Sequence, residues 1–494
     1  MKLPELLRDV PVRASRGNLD VEITNVTADS RLVVPGALFV AVPGFKTDGA
    51  KFIDAAISKG AAAIVSETAA DVLVLVEVDD ARSALALIAA NFYGRPADKL
   101  SLVGVTGTSG KTTTTKMIES IFDAVGEPVG LIGTIEYRAG DERLTADRTT
   151  PDAVVLQQWF GKMVDAGVHH AVMEVSSHAL ALRRTLGIRF SAAVFTNLSQ
   201  DHFDFHKDFE DYFAAKRILF DQIDRSRKSA IVNIDDDYGR RLSSELSDCV
   251  VTFGRGANAD IHTLNGFEIS VRGLHGRVAT PAGEVLVESR LLGAPNLYNW
   301  LGAIGAALSV GIDIATIEAG IRNLDVVRGR FEYVEAESGP TVIVDYAHKP
   351  DALEKLLLAV RDLAADRRLI LIVGCGGDRD KDKRPKMGVI AARLADRTIL
   401  TSDNPRGEKP EAILDDIESG MRGAVNYARI ADRRQAISRT IAEASEEDVI
   451  VIAGKGHESY QVTGDQILHF DDREEAELAL KTRHENRTSK SASN

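Results

Sequence analysis

The stretch Leu100–Lys116, reading LSLVGVTGTSGKTTTTK, constrains this chain more than any other. An apolar run (Leu102, Val103, Val105) leads into Gly107, Thr108, Ser109, Gly110 and Lys111. Four threonines follow, and Lys116-Met117-Ile118 begins a helical pattern. A strand, a glycine turn and a helix start make a phosphate cradle. Glycines let backbone N–H groups approach phosphate oxygens, and the helix N-terminus adds the positive end of its dipole. Lys111 is placed to reach terminal phosphates, and Thr112 or Thr113 to hold Mg²⁺. The spacing departs from the standard P-loop, because the position five before Gly110 is Val105. A plain turn with no ligand has little need of four hydroxyls behind a lysine, since threonine is a poor helix former.

The rest of the chain must fit around that cradle. Its 494 residues suggest about three domains at roughly 150 residues each. A formal charge of −13, with no basic run interleaved with aromatics, argues against a nucleic-acid partner. Cys249 and Cys375, far apart, cannot make a disulfide framework, which suits a reducing cytosol. No apolar run approaches the ~20 residues that span a bilayer. The N-terminus, MKLPELLRDV, carries acids and lacks a signal-peptide core. The expectation is a cytoplasmic monomer without membrane insertion.

Residues 1–98 read as a small α/β domain, with strands over Gly36–Val42 and Ala62–Val65 and a helix over Lys51–Gly60. Its polar loops, Asp29-Ser30-Arg31 and Gly44–Gly49, read from pattern alone as turn chemistry. From 99 to 325, strands alternate with helices as in a doubly wound parallel sheet. Ala171-Val172-Met173 ends in Glu174-Val175-Ser176-Ser177-His178, and Ala192–Phe195 ends in Thr196–His202. In a parallel sheet both clusters fall at the edge that carries the phosphate loop. That convergence makes Glu174 and His202 candidate metal ligands or water-holders beside Mg²⁺. Lys216, on a helix over Phe209–Phe220, reads from position as a solvated lysine. Residues 258–290 look like short strands, and Asn296 is a good N-cap for a helix running to Val310. An amide there can equally hydrogen-bond an adenine edge.

A third α/β domain runs from 326 to 482, and a polar tail, 483–494, is expected to be disordered. Four of its strands end in charged, glycine-bearing loops: Asp345–Pro350, Gly374–Asp380, Ser402–Arg406 and Gly454–Glu458. Arginines for carboxylates and acids for ammonium fit a small zwitterion.

These residues closely resemble the Mur ligases, over nearly the whole chain. The resemblance rests on GTSGKTT, MEVSSHAL, TNLSQDHFDFH, the Asn296/Asn299 pair, Arg330, DYAHKPDAL and GGDRDKDKRP. Asp403-Asn404-Pro405-Arg406 resembles the loop of the branch that adds meso-diaminopimelate; lysine-adding relatives differ there. The resemblance implies three α/β domains: a central P-loop-type doubly wound sheet, a small N-terminal domain, and a Rossmann-like C-terminal domain. It implies Ser30 at the uridine diphosphate, with Thr149, Thr150, Ser176 and Arg184 on the muramoyl-dipeptide. Gly107, Thr108, Ser109, Gly110, Lys111, Thr112 and Thr113 would bind the ATP phosphates, with Asn296, Asn299 and Arg330 elsewhere on the nucleotide. Thr112, Glu174, His202 and Lys216 would surround Mg²⁺, Lys216 as a carbamate, since a bare cation would repel the metal. Arg379, Asp403, Asn404, Pro405, Arg406, Gly454 and Glu458 would hold diaminopimelate, and His348 or a nearby acid would take the proton of the amine.

The implied activity is ATP-dependent amide formation through an acyl phosphate, between UDP-N-acetylmuramoyl-L-alanyl-D-glutamate and meso-diaminopimelate. Its rivals are the same ligase with L-lysine or a folate-type glutamate, a P-loop NTPase that joins nothing, and a silent scaffold. The chain departs from the family pattern at Phe45-Lys46-Thr47, where many members carry His-Gln-Ala. It also departs at Leu182, where some carry a glutamine two residues before the muramoyl-contacting arginine.

Overall fold

The computed structural model describes residues 1–44, 47–270, 272–336, 338–364 and 366–491. Phe45 and Lys46, where the family pattern is broken, lie outside the described residues. The chain packs as two compact units. The first comprises Met1–His262, Ala279–Gly283 and Trp300–Gly320, the second Thr263–Val278, Glu284–Asn299 and Ile321–Asn494.

The first unit holds two sheets. The smaller orders its strands Val12–Arg16, Leu75–Val78, Ala63–Ser66, Ala37–Ala41, Asn25–Thr27, parallel except at the Val12–Arg16 edge. Ala37–Ala41 is buried at every position, which is why it reads as an unbroken apolar run. The larger sheet runs Val250–Phe253, Ala230–Asn233, Ala192–Phe195, Ser101–Thr106, His170–Glu174, Val129–Ile132, Glu136–Ala139, Glu142–Thr145. Its first six strands are parallel, and the last two add an antiparallel hairpin at one edge. The hairpin is a feature the alternating pattern did not announce. Ser101–Thr106 lies between His170–Glu174 and Ala192–Phe195, in registers that pair Val105 with Glu174 and Thr106 with Phe195. Three polar loops therefore leave the sheet at one carboxyl edge, where open α/β sheets bind ligands.

The second unit is built on a sheet ordered Glu332–Val334, Thr341–Asp345, Val449–Ala453, Leu369–Val373, Arg397–Leu400, Tyr427–Arg429, parallel apart from the first pairing. A hairpin, Tyr460–Thr463 with Gln466–His469, follows it. The stretch expected to be β-rich forms a small sheet of His262–Thr263, Glu268–Ser270, Gly273–Thr280 and Gly283–Ser289.

Two expectations are corrected. The helix assigned to begin at Asn296 spans Gly293–Ser309, so Asn296 is inside its first turn. Its amide donates to the Leu292 carbonyl at 2.8 Å instead of capping a free N–H. Of the tail expected to be disordered, residues 483–491 continue a helix, Asp472–Ser491, and the last three lie outside the described residues. Ala476 and Leu480 bury its apolar face against Ile437 and Ile441, and Arg483 donates to the Ile441 carbonyl. Those partners lie some forty residues upstream, so the local polar composition could not reveal them. Among the described residues no helix is long and apolar enough to cross a membrane.

Candidate functional site

The phosphate loop is shaped by its own backbone. Gly107 has φ +148°, and a Cβ there would stand 1.9 Å from the Thr196 hydroxyl, so no other residue fits. Gly110, also left-handed at φ +87°, precedes the helix Lys111–Asp123. The neighbouring strand end stitches the loop in place. Ser109 N–H donates to Asn197 Oδ1 (3.0 Å), Asn197 Nδ2 to the Ser109 carbonyl (3.2 Å), and Thr108 N–H to the Asn197 carbonyl (2.9 Å). Thr196 Oγ1 adds a bond to the Ser109 carbonyl at 2.7 Å.

Two lysines converge on this loop. Lys111 Nζ donates to the Gly107 and Thr108 carbonyls, each at 2.9 Å. Lys216 Nζ reaches the same Gly107 carbonyl at 2.7 Å and lies 4.3 Å from the Tyr212 ring centre. Lys216 is 1% exposed, the opposite of a solvated helix-face lysine. Burial pushes its pKa well below the ordinary value, the Lys111 charge pushes the same way, and Asp201 opposes both.

Glu174, 1% exposed, is held by three donors: Thr112 Oγ1 (3.0 Å), Thr134 Oγ1 (3.0 Å) and Thr134 N–H (2.7 Å). Thr134 Oγ1 also lies 3.0 Å from Thr149 Oγ1. Thr150 Oγ1 donates to the Glu174 carbonyl (2.8 Å) and accepts from Ser176 N–H (3.1 Å), and Arg184 Nη1 donates to the Thr150 carbonyl (2.8 Å). Thr112, Thr149, Thr150, Glu174, Ser176 and Arg184 are thus one bonded group, with Leu182 at the end of the short helix Ser177–Ala181 beside it. His202 sits at φ +57° with its Nε2 3.4 Å from Asp201 Oδ2, edge-on to His178 at 4.7 Å. Among the described residues no three His, Cys, Asp or Glu side chains form a ready metal cage. One carboxylate and one hydroxyl at 3.0 Å nevertheless suit Mg²⁺, which keeps most of its own waters.

Ser30 belongs to the smaller sheet, in a 3₁₀ turn capped by Asp29, and its carbonyl accepts from Lys59 Nζ at 3.0 Å. Among the described residues no hydrogen bond ties it to the phosphate edge.

The second unit gathers a different set. The loop 403–406 lies along the loop 374–380: Gly377 N–H donates to the Asn404 carbonyl (2.8 Å) and Arg406 Nη1 to the Gly377 carbonyl (3.0 Å). The space beside Gly376 is bounded by the side chains of Arg406 and Arg379. Arg384, fully buried, anchors the base of these loops through Glu408 (2.8 Å) and Asp416 (2.8 Å). Asn404 Nδ2 donates to Glu458 Oε2 at 2.8 Å, while Asp403 closely approaches Gly454. Burial and the neighbouring Asp403 raise the pKa of Glu458.

Beside this pocket, Arg330 lies 4.8 Å from the Tyr346 ring centre, and His348 and His457 flank the same ring at 4.5 Å and 4.9 Å. Burial lowers both histidines to about 4, helped by Lys383 at His348 and by Arg330 at His457. His348 Nδ1 donates to the Tyr346 carbonyl at 2.8 Å. Asn296 and Asn299, buried in the same unit, bond to each other at 3.2 Å.

Sequence reasoning passed over Asn197, Thr134, Tyr212 and Lys455. Asn197 and Lys455 stand inside motifs already singled out. Thr134 and Tyr212 carry no local signal.

Three domain families match the chain: "Mur ligase family, catalytic domain" over 22–93, "Mur ligase middle domain" over 105–307, and "Mur ligase, glutamate ligase domain" over 329–456. A Clostridium acetobutylicum protein named UDP-N-acetylmuramoyl-L-alanyl-D-glutamate--2,6-diaminopimelate ligase 1 is 44% identical over 479 residues, 96% of this chain and 98% of its own. A Gloeobacter violaceus protein named UDP-N-acetylmuramoyl-L-alanyl-D-glutamate--2,6-diaminopimelate ligase is 47% identical, over 98% of this chain and 99% of its own. A solved structure of a ligase with that name superposes at a TM-score of 0.71 with 31% identity, covering 98% of this chain and 99% of that one.

Proposed function

Because the chain belongs to the Mur ligase family, we propose that it is an ATP-dependent ligase of peptidoglycan precursor synthesis in the cytoplasm, acting as a monomer. It joins meso-diaminopimelate to the D-glutamyl γ-carboxylate of UDP-N-acetylmuramoyl-L-alanyl-D-glutamate. The γ-carboxylate oxygen attacks the γ-phosphorus of ATP, the bond to ADP breaks, and an acyl phosphate results. The amine nitrogen then attacks the acyl carbon, the carbon–oxygen bond to phosphate breaks, and the amine's proton passes to a neighbouring base.

Each residue has a part in this reading. Lys111 exchanges its two carbonyl partners for phosphate oxygens, and backbone N–H groups from Gly107 to Thr113 hold the phosphates. Asn296, Asn299 and Arg330 take the rest of the nucleotide. Ser30 meets the uridine diphosphate, and Thr149, Thr150, Ser176 and Arg184 hold the muramoyl-dipeptide. Thr112, Glu174 and His202 would hold Mg²⁺, which when bound neutralises charge on the triphosphate. Lys216, whose depressed pKa leaves a nucleophilic amine, adds to CO₂ and releases a proton to give a carbamate, and so becomes an anion. Arg379 and Arg406 take carboxylates of the amino acid, while Asp403 and Glu458 take its ammonium. His348, whose pKa burial lowers to about 4, presents a neutral ring, and it or a nearby acid takes the proton of the amine.

The observation that carries the choice of amine is the arrangement in which Asn404 of the loop 403–406 holds Glu458 while Arg406 of the same loop donates to the Gly377 carbonyl. A guanidinium beside the ammonium site suits an amino acid with a second carboxylate. The test is the mass of the nucleotide product after incubation with ATP, the UDP-muramoyl-dipeptide and meso-diaminopimelate. A gain of one diaminopimelate residue is expected. Phosphate release with no mass gain would overturn the ligase reading in favour of an NTPase.

A further inference from the structure

Lys455 stands between two glycines in a loop at the end of Val449–Ala453, where a solvated lysine is the ordinary expectation. Its side chain is instead 0% exposed. Lysines are almost never fully buried unless paired. Gly456 makes the turn possible: it has φ +53°, and a Cβ there would meet the Tyr346 Cβ at 2.6 Å.

The ammonium is surrounded by the pocket's own polar groups. Lys455 Nζ lies 3.3 Å from Asn404 Oδ1, 3.5 Å from Glu458 Oε2 and 3.8 Å from Asp403 Oδ1, and it donates to the Tyr460 carbonyl. Asn404 Oδ1 also accepts from Val462 N–H at 2.9 Å. Two donors on one side of the amide require its oxygen there, so its NH₂ must face Glu458 Oε2. Among the described residues the Asn404 and Lys455 side chains both bond to Oε2 of Glu458, which leaves Oε1 for a ligand. Two carboxylates in one buried pocket favour protonation of one of them. A cation between them opposes that.

We propose that Lys455 is a positioning residue for the amino-acid substrate: from beneath the pocket it fixes the direction of the Asn404 amide and holds Glu458 as the anion that receives the substrate ammonium. The proposal rests on the ligase reading above. It differs from a simple strut, because a strut supports every substrate alike whereas Lys455 acts through Glu458 on the amine alone.

The test is a double-mutant cycle of Lys455→Met and Glu458→Gln. It is read as kcat and as KM for ATP, the UDP-dipeptide and the amine, from amine-dependent phosphate release. Lys455→Met is expected to raise the amine KM by about tenfold or more, as for a lost bond to a charged group, with the other two KM values unchanged. In the Glu458→Gln background it should add nothing. The groups facing Glu458 are Asp403, Lys455, Tyr346, Tyr460 and Arg433. Of these only the lysine is removed, so the acidic limb of the amine 1/KM profile should move to higher pH. If Lys455→Met does not fold, Lys455→Gln, which keeps a donor without the charge, reads the same quantities. A uniform loss across all three substrates, multiplicative effects in the cycle, or an unmoved pH limb overturns the proposal. The wild-type requirement for an amine reads the ligase function separately, and phosphate release without any amine overturns both.

Discussion

The phosphate edge of the first unit draws two lysines onto one backbone carbonyl, whereas the pocket of the second unit buries one lysine among an amide and two carboxylates. In the first region the lysines bond to neutral oxygens, which a phosphate can replace at little cost because it is the stronger acceptor. In the second the charges answer one another before any ligand arrives. The contrast separates two tasks. Under the proposed function the first region would receive and later release a highly charged group, while the second would measure a small zwitterion against near neighbours, which calls for fixed geometry.

The largest effect should come from Lys111→Met. A loss of about 10²–10³-fold or more in kcat/KM for ATP is expected, as for removal of a transition-state charge partner. Steady-state kinetics should leave the amine KM in place; a matching rise there would erase the division between the two regions. Next comes Lys216→Gln, with a drop of about 10–100-fold in kcat, the scale on which support around a metal site acts. Wild-type protein in CO₂-depleted buffer should lose activity in the same way and regain it with bicarbonate. Full activity in both cases would remove the carbamate role from Lys216.

The smallest effect concerns stability in the second unit. His348 and His457, held at about 4, are neutral in the fold near neutral pH, while in the unfolded chain each titrates near 6.5. Between those values the unfolded chain binds more protons, so stability falls as pH drops from about 6.5 toward 4. A His348→Gln/His457→Gln double variant should flatten that slope. Thermal melts would register about 2–4 °C for each kcal/mol of difference. An equally steep slope in the double variant would place the acid sensitivity elsewhere.

Much of the fold was legible because a parallel sheet buries its strands on both faces. Ala192–Phe195, Leu369–Val373 and Val449–Ala453 announce themselves as apolar runs ending in polar loops. The shared carboxyl edge of Gly107, Glu174 and Thr196 followed from the same rule. What escaped depends on distant partners. Arg483 keeps its segment helical through a carbonyl on another helix, and Asn296 turns its amide to Leu292 because the helix begins upstream. Lys216 looks solvated in sequence and is buried against the Gly107 carbonyl, 109 residues upstream, and Lys455 is buried beside Asn404, 51 residues upstream. Charge placed in a core is a tertiary fact, and local pattern carries no trace of it.

The most direct test of the division is phosphate release with ATP and the UDP-muramoyl-dipeptide, offering meso-diaminopimelate, L-lysine or no amine to wild-type protein and to Arg406→Ala. The account predicts release by the wild type only with diaminopimelate. It also predicts a loss of about 10–100-fold in kcat/KM for that amine in the variant, the range of a charge-assisted bond, with the ATP KM unchanged. Equal release with L-lysine, or a variant whose ATP KM rises together with its amine KM, would contradict it.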